Sequence, residues 1–309
     1  MNNLAAEQEA VNSVQDPIPV EEKLPQHSSK KRKIRIVVIC TLILAFFMFL
    51  QILPFYLSFV ESLQPETYRP GGKVNFWPDK ISLKNYAIAW QGSNLTMGIV
   101  WSLIYAGGYT AITVLIISLV AYVLAKKKFF GQRFVFLFFM SALMVPGEIL
   151  LVSNYLLITE MGLLGNPLAV ILPGLVNIFG IFLLKQFMHT IPDSIVESAV
   201  LDGAGDMKIL IHLIIPMSMP AIATYCIITF VGQWNEYLWP QLALNSVSPF
   251  DPIQIKLLMY RPTINGSENH PYASVLRVAA TMITLLPVLV FYFAFQKHFT
   301  EGINISGLK

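Results

Sequence analysis

The sequence predicts an all-α membrane protein with six transmembrane helices and a short cytoplasmic helix between the fourth and fifth. Three observations carry this. Of 309 residues, 55% are hydrophobic and only 13% charged, about half the charged share of an ordinary soluble domain. The apolar residues gather into six runs, each close to the ~20 helical residues that cross a bilayer core. None of the runs alternates apolar with polar residues. A barrel therefore finds no support, whereas a helix satisfies its own backbone in lipid.

The runs follow in order: Ile36 to Phe59, broken only by Gln51 and Pro54; a stretch within Ile99 to Ala125; Phe134 to Ile158; Leu168 to Phe187; about Leu213 to Leu238; and about Val275 to Phe295. The first is too long for a signal h-region and follows a polar tail, Met1 to Lys33, so it reads as a retained span. The tail shows no apolar periodicity and reads as a flexible cytoplasmic arm. The division is thus a tail over 1–33 and a membrane domain over 34–309. Cys40 and Cys226 sit in separate apolar runs, which speaks against a disulfide framework. The net charge of +3 gives no sign of nucleic-acid binding.

Orientation follows the positive-inside rule. Lys30, Lys31, Arg32, Lys33 and Arg35 flank the first run, and Lys126, Lys127, Lys128 and Arg133 lie between the second and third. Six spans put both clusters, the fourth-to-fifth connection and both termini on the cytoplasmic side. Arg69, Lys73, Lys80 and Lys84 in the first outer segment run against this, offset by that segment's acids and length. The outer segments Glu61 to Asn94 and Leu244 to Pro271 are rich in Pro and Gly and read as ordered loops with short helices.

The segment His189 to Pro220, HTIPDSIVESAVLDGAGDMKILIHLIIPMSMP, separates the fourth and fifth runs. Pro192 prevents an earlier helix. Ser194 and Glu197 have the spacing of a capping box, with Ser194 as N-cap, and Gly203 is placed as a C-terminal stop. A helix over about Ser194 to Asp202 is too short to hold alone in water. Ile195, Val196, Ala199 and Val200 need a packing partner. That partner is either another protein's groove or the chain's own span ends.

The segment resembles the EAA motif of ABC-importer permeases: Glu197, Ala199, Gly203 and Pro216 fit its spacing, and Asp202-Gly203-Ala204 fits the D-G-A of the carbohydrate branch. Ser198 stands where that family has Ala, and Leu213 and Ile215 stand for Ile and Leu. Met144 to Pro173, GIFLLKQFMHTIP, Trp234 to Leu242 and the C-terminal FQKHFTEGINISGLK resemble further family segments, most like the smaller permease of maltose-type importers. The resemblance implies that the 194–204 segment is the coupling helix, seated in a cleft of a cytoplasmic ATPase subunit. Ser194, Ile195, Val196, Glu197, Ala199, Val200, Asp202, Gly203 and Ala204 would then transmit ATPase closure to the spans. It also implies a second homologous permease, two ATPase subunits, an extracytoplasmic solute-binding protein and a carbohydrate substrate.

The chain has no G-x-x-x-x-G-K-[ST], HExxH or CxxC, and its five His residues are scattered. No catalysis, cofactor or metal is expected, and ATP hydrolysis falls to a partner. Ionisable groups at span depth are costly. Glu148 follows Pro146-Gly147 and is either a pathway residue or a cap for backbone freed by Pro146. Trp234, Asn235, Glu236 and Tyr237 cluster with Gln233 and Trp239. They form either an interfacial aromatic belt or a sugar-facing end, where rings stack on C–H faces and amides and carboxylates bond hydroxyls. Asn154 and Tyr155 are further pathway candidates. Membrane lipid is the surrounding partner. No Arg cluster favours a phosphorylated substrate, so a neutral sugar is expected. A secondary transporter would need coupling charges and internal symmetry, which are not apparent. A non-transporting scaffold would need no polar pathway.

Overall fold

The computed structural model describes residues 26–68, 75–92, 94–245, 248–264 and 270–306. The polar tail through residue 25 lies outside the described residues. So do Arg69, Pro70, Gly71, Gly72 and Lys73 of the first outer loop and the last three residues of the chain. The side chains of Lys30, Lys31 and the FQKHFTEGINIS segment are also outside them.

The described residues are helical, with no strand among them. In chain order the helices are α1 (Gln26–Ser62), α2 (Lys84–Gly92), α3 (Leu95–Lys126), α4 (Gln132–Ala142), α5 (Leu150–Glu160), α6 (Pro167–Ile171), α7 (Ile178–Thr190), α8 (Asp193–Leu201), α9 (Asp206–Ile209), α10 (Ile215–Met217), α11 (Met219–Asn235), α12 (Leu238–Ala243), α13 (Ile253–Met259) and α14 (Pro271–Ser306). The chain forms two units, Met1–Tyr56 and Leu57–Lys309.

In the first unit, α1 is apolar and exposed from Arg32 to Tyr56 almost without interruption. An all-round apolar, exposed helix is what a lipid-facing span requires.

The second unit is organised on α3, which packs against α7, α11 and α13. One cluster joins Ile117, Ala121 and Leu124 of α3 to Ile181, Leu184 and Met188 of α7 and to Ile222 and Tyr225 of α11. A second joins Ala106 of α3 to Phe230 and Trp234 of α11, Ile253 of α13 and the stretch from Tyr272 to Ile283 of α14. A third joins Tyr105, Ile158, Ala169, Val170, Ala243 and Leu244. Gly180 lets α7 approach closely: a Cβ there would lie 2.5 Å from the Tyr225 ring and 2.7 Å from Ile117. Side-chain bonds fasten the loops. Tyr105 donates to the carbonyl of Phe250 at 2.9 Å, and Ser102 accepts from the Ile253 amide at 2.8 Å. Asn85 donates to the carbonyls of Ser62 and Gln64 and accepts from the Tyr272 hydroxyl.

Among the described residues, three helices are long and apolar enough to cross a membrane by themselves: Arg32–Ser62, Leu95–Lys126 and Tyr272–Ala294. The expected third and fifth spans are bent. The run from 134 to 158 breaks before Pro146, with α4 and the 147–160 helix at 81°. Proline lacks the amide that would continue the ladder and disfavours helix in the residue before it. The run from 213 to 238 passes through a wide π-turn, Leu210–Ile214, ahead of Pro216, and then bends 77° at Ser218. The expected fourth span is also divided. α6 ends, Pro173 and Gly174 (φ +81°) turn the chain, and α7 starts where the Asn177 side chain accepts from the Gly180 amide at 2.8 Å.

Candidate functional site

Two places gather the sequence-predicted residues: the surface helix α8 and a cavity between α5, α6 and the α11–α12 turn.

α8 begins at Asp193, with Pro192 as its extended N-cap (φ −58°, ψ 133°). The expected capping box does not form. Ser194 lies inside the first turn, caps nothing with its side chain, and instead offers its carbonyl to the Ser198 hydroxyl at 2.9 Å. Asp193 opens the helix one residue earlier because it is held from outside. Lys126, its side chain almost wholly buried, donates to the Asp193 carboxylate at 2.7 Å and to the carbonyl of Ile191. That hydrogen bond, reinforced by the charge of Lys126, holds the Asp193 carboxyl below its usual range. Lys127, just past the end of α3, pairs with Asp206 at the start of α9, and that bond raises its ammonium above the ordinary lysine value. Two adjacent lysines thus fasten both ends of the 193–206 segment to α3.

The far end of α8 stops as the sequence predicts. Gly203 has φ +79°. Its amide donates to the Val200 carbonyl at 3.0 Å and the Ala204 amide to the Ala199 carbonyl at 3.0 Å. These are the two bonds of a Schellman motif, which needs a left-handed residue where Gly203 stands.

The helix divides the predicted residues into two faces. Val196 is buried, and Ile195, Ala199 and Ala204 pack partly buried onto the α3–α7–α11 cluster. Of the two packing partners the sequence leaves open, the chain's own core serves Ile195, Val196 and Ala199, while Val200 stays exposed. The outward face carries Ser194, Glu197, Asp202 and Gly203, together with Val200 and Leu201, the last 88% exposed. A partner that covered this leucine would gain the free energy of removing its apolar surface from water.

The cavity holds about 360 Å³ and brings together Glu148, Asn154 and Glu236 of the predicted residues, with Gln233 and Trp239. Its floor and walls include Leu150, Leu151, Val170 and Pro173. Glu148 follows Pro146 in a single 3₁₀ turn, makes no cap bond and is exposed, so the capping alternative does not hold. Glu236 does act as a cap. Its Oε1 accepts from the amides of Leu238 and Trp239 at 2.9 and 3.2 Å, fixing the start of α12. The Trp239 indole donates to the Ala169 carbonyl at 3.1 Å and ties α12 to α6. The lining offers two carboxylates, two amides and an indole face, with no Lys or Arg. Such a set accepts and donates hydrogen bonds to hydroxyls and repels anions.

The remaining predicted residues stand elsewhere. Trp234 is 1% exposed, stacked on Phe230 with centroids 6.3 Å apart, and belongs to the core. One helical step places it opposite Gln233. Asn235 and Tyr237 are exposed and Tyr155 half-buried, none of them lining the cavity. Gln233, a sequence neighbour of this cluster, lies in a run too apolar to give it a phase, and only the fold places it at the cavity.

A family model described as "Binding-protein-dependent transport system inner membrane component" matches residues 115–305. The chain belongs to that family. The matched region takes in α8, its glycine stop and every residue lining the cavity. As an inner-membrane component of a transport system, the family member is a permease and not an enzyme. It is a membrane protein, in keeping with its apolar helices. Among its relatives, the arabinooligosaccharides transport system permease protein AraQ of Halalkalibacterium halodurans is 27% identical, covering 86% of this chain and 94% of the relative. The polygalacturonan/rhamnogalacturonan transport system permease protein YtcP of Bacillus subtilis is 32% identical over 210 residues, covering 65% and 72%. A chain in the crystal structure of a bacterial ABC transporter involved in the import of the acidic polysaccharide alginate shares the fold. Its TM-score is 0.76 at 23% identity, over 87% of this chain and 98% of that one.

Proposed function

We propose that this chain is one transmembrane half of an ATP-driven importer of a neutral carbohydrate. Family membership supports the importer, and the relatives that carry arabinooligosaccharides and other saccharides support the substrate class. The cavity's carboxylates and its lack of Lys or Arg favour a neutral sugar over an acidic one. In this reading residues 34–309 form six spans, two of them bent and one divided, with both termini cytoplasmic.

The other half of the pathway is a second, homologous permease. Two ATPase subunits lie below and a solute-binding protein docks outside. α8 is the coupling helix. Glu197, Val200, Leu201, Asp202 and Gly203 meet the ATPase, while Ile195, Val196, Ala199 and Ala204 hand its displacement to α3, α7 and α11. Closure of the ATPase pair on ATP moves α8, and the movement reaches the bends at Pro146, Pro173-Gly174 and Ser218. Glu148, Asn154, Gln233, Glu236 and Trp239 line the path taken by the sugar, with Tyr155, Asn235 and Tyr237 nearby.

The observation that carries this reading is the exposed Leu201 face on a helix whose other face is sealed to the span bundle. The test is reconstitution of the chain with its genomic neighbours in proteoliposomes. ATP-dependent uptake of a neutral oligosaccharide that requires the binding protein is expected. Uptake that persists without ATPase or binding protein, driven by an ion gradient, refutes the importer.

A further inference from the structure

A second cavity, of about 340 Å³, opens where α3 ends and α7 closes on α8. Five Lys and Arg side chains line it, Lys126, Lys127, Lys128, Arg133 and Lys185, with His189, against one carboxylate, Asp193. Two of the cations are neutralised within the chain: Lys126 by Asp193 and Lys127 by Asp206. Lys128, Arg133 and Lys185 have no carboxylate partner among the described residues. Lys185 rests instead over the Phe136 ring, 4.2 Å from its centroid. Three unmatched positive charges converging on one hollow repel one another and concentrate an anion there.

The neighbouring surface shows the kind of anion. Phe130, in the α3–α4 connection, is fully exposed and Phe134, in the first turn of α4, is 74% exposed, the one two residues after Lys128 and the other next to Arg133 in the chain. The cavity also lies at the end of α3, a helix long and apolar enough to span the bilayer. A soluble anion needs the cations but has no use for exposed phenylalanines. An ion held at the membrane boundary, with acyl chains alongside, uses both.

We propose that this hollow binds the phosphate headgroup of an anionic phospholipid, with Lys128, Arg133 and Lys185 as its ligands and Phe130 and Phe134 against its chains. A lipid held there touches the same Lys126–Asp193 link that fastens α8, so lipid composition tunes how firmly the surface helix is seated.

The test uses the whole importer complex in nanodiscs of phosphatidylcholine with a minor share of phosphatidylglycerol. Retained lipids are counted by native mass spectrometry after extraction. The wild-type complex is expected to retain phosphatidylglycerol over phosphatidylcholine. The triple change Lys128→Gln, Arg133→Gln, Lys185→Gln should cut retention about 100-fold, from about fivefold per removed charge near a membrane surface. The charge-keeping pair Lys128→Arg, Lys185→Arg should retain the lipid, which separates lost charge from misfolding. Excess inorganic phosphate should not strip it. Three results overturn the proposal: no preference in the wild-type complex; phosphate displacing the lipid as readily as another lipid does; or a crosslinker at position 133 capturing a partner subunit and no lipid.

Discussion

The glycine that ends α8 is the sharpest single handle on the proposed coupling. Gly203 sits at φ +79°, and a Cβ built there meets nothing within 4 Å. Space therefore plays no part, and the whole penalty of a side chain comes from the left-handed backbone. That penalty is about 1–2 kcal/mol for a residue bearing a Cβ. It is least for Asn, which tolerates the region, and greatest for a β-branched residue. If the backbone relaxes instead, the two closing bonds from Gly203 and Ala204, each 3.0 Å, are given up at about 1 kcal/mol apiece. The expected order of damage is Gly203→Asn, then Gly203→Ala, then Gly203→Val. The alanine change opens the helix end about fivefold more often and the valine change about tenfold or more.

Uptake per ATP hydrolysed in proteoliposomes should fall in that order, with the complex present at normal levels. Hydrogen exchange at the Ala204 amide should quicken in the same order. If Asn proves as damaging as Val, the backbone argument is wrong. If Val frees the Ala204 amide yet leaves coupling intact, the helix end is not part of the coupling route.

Other outcomes follow from the same geometry. Trp234→Ala empties a core position and should cost about 3–5 kcal/mol, read as lost membrane abundance and a lower unfolding temperature. Glu148→Gln should leave abundance unchanged and alter sugar uptake alone. Gly180→Ala drives a methyl to 2.5 Å from the Tyr225 ring and should destabilise by about 1–3 kcal/mol, with relief when Tyr225 is replaced by Leu.

The fastening of α8 should be flat across the neutral range. The depressed Asp193 carboxyl contributes fully above the ordinary carboxylate value of about 4 and is lost only as pH falls through its own lower one. The raised Lys127 ammonium contributes fully below about 10.4 and is lost as pH rises through its higher one. Hydrogen exchange of the α8 amides, corrected for intrinsic rates, should therefore not change between mildly acidic and mildly basic buffer. Asp193→Asn should speed it at every pH.

What the sequence made legible was local. Gly203 as a stop and Pro192 as a barrier could be read from residue type alone, because each restricts its own backbone. The start of α8 could not. Asp193 takes that place through Lys126, which lies 67 residues earlier and reaches it only in the folded chain. The two faces of α8 were hidden for a like reason: Ile195, Val196 and Ala199 ask for burial, but only the fold shows that α3, α7 and α11 supply it. In the spans, periodicity fails altogether. A run apolar on every side has no phase, so Trp234, in the core, and Gln233, at the cavity, could not be told apart. The breaks at Pro146 and Pro173 had visible prolines, yet the apolar residues around them read as unbroken. Glu148 was recognisable as costly at depth, but Gln233 and Glu236 join it at the cavity only across the α5–α11 gap.

The most direct measurement is zero-length or short-range crosslinking from single cysteines on the two faces of α8 in intact membranes, in a background without Cys40 and Cys226. Leu201→Cys, on the open face, should capture the ATPase subunit, and its yield should change when ATP is trapped. Val196→Cys, on the sealed face, should not. Capture from position 196 with none from 201, or from neither, would contradict the account.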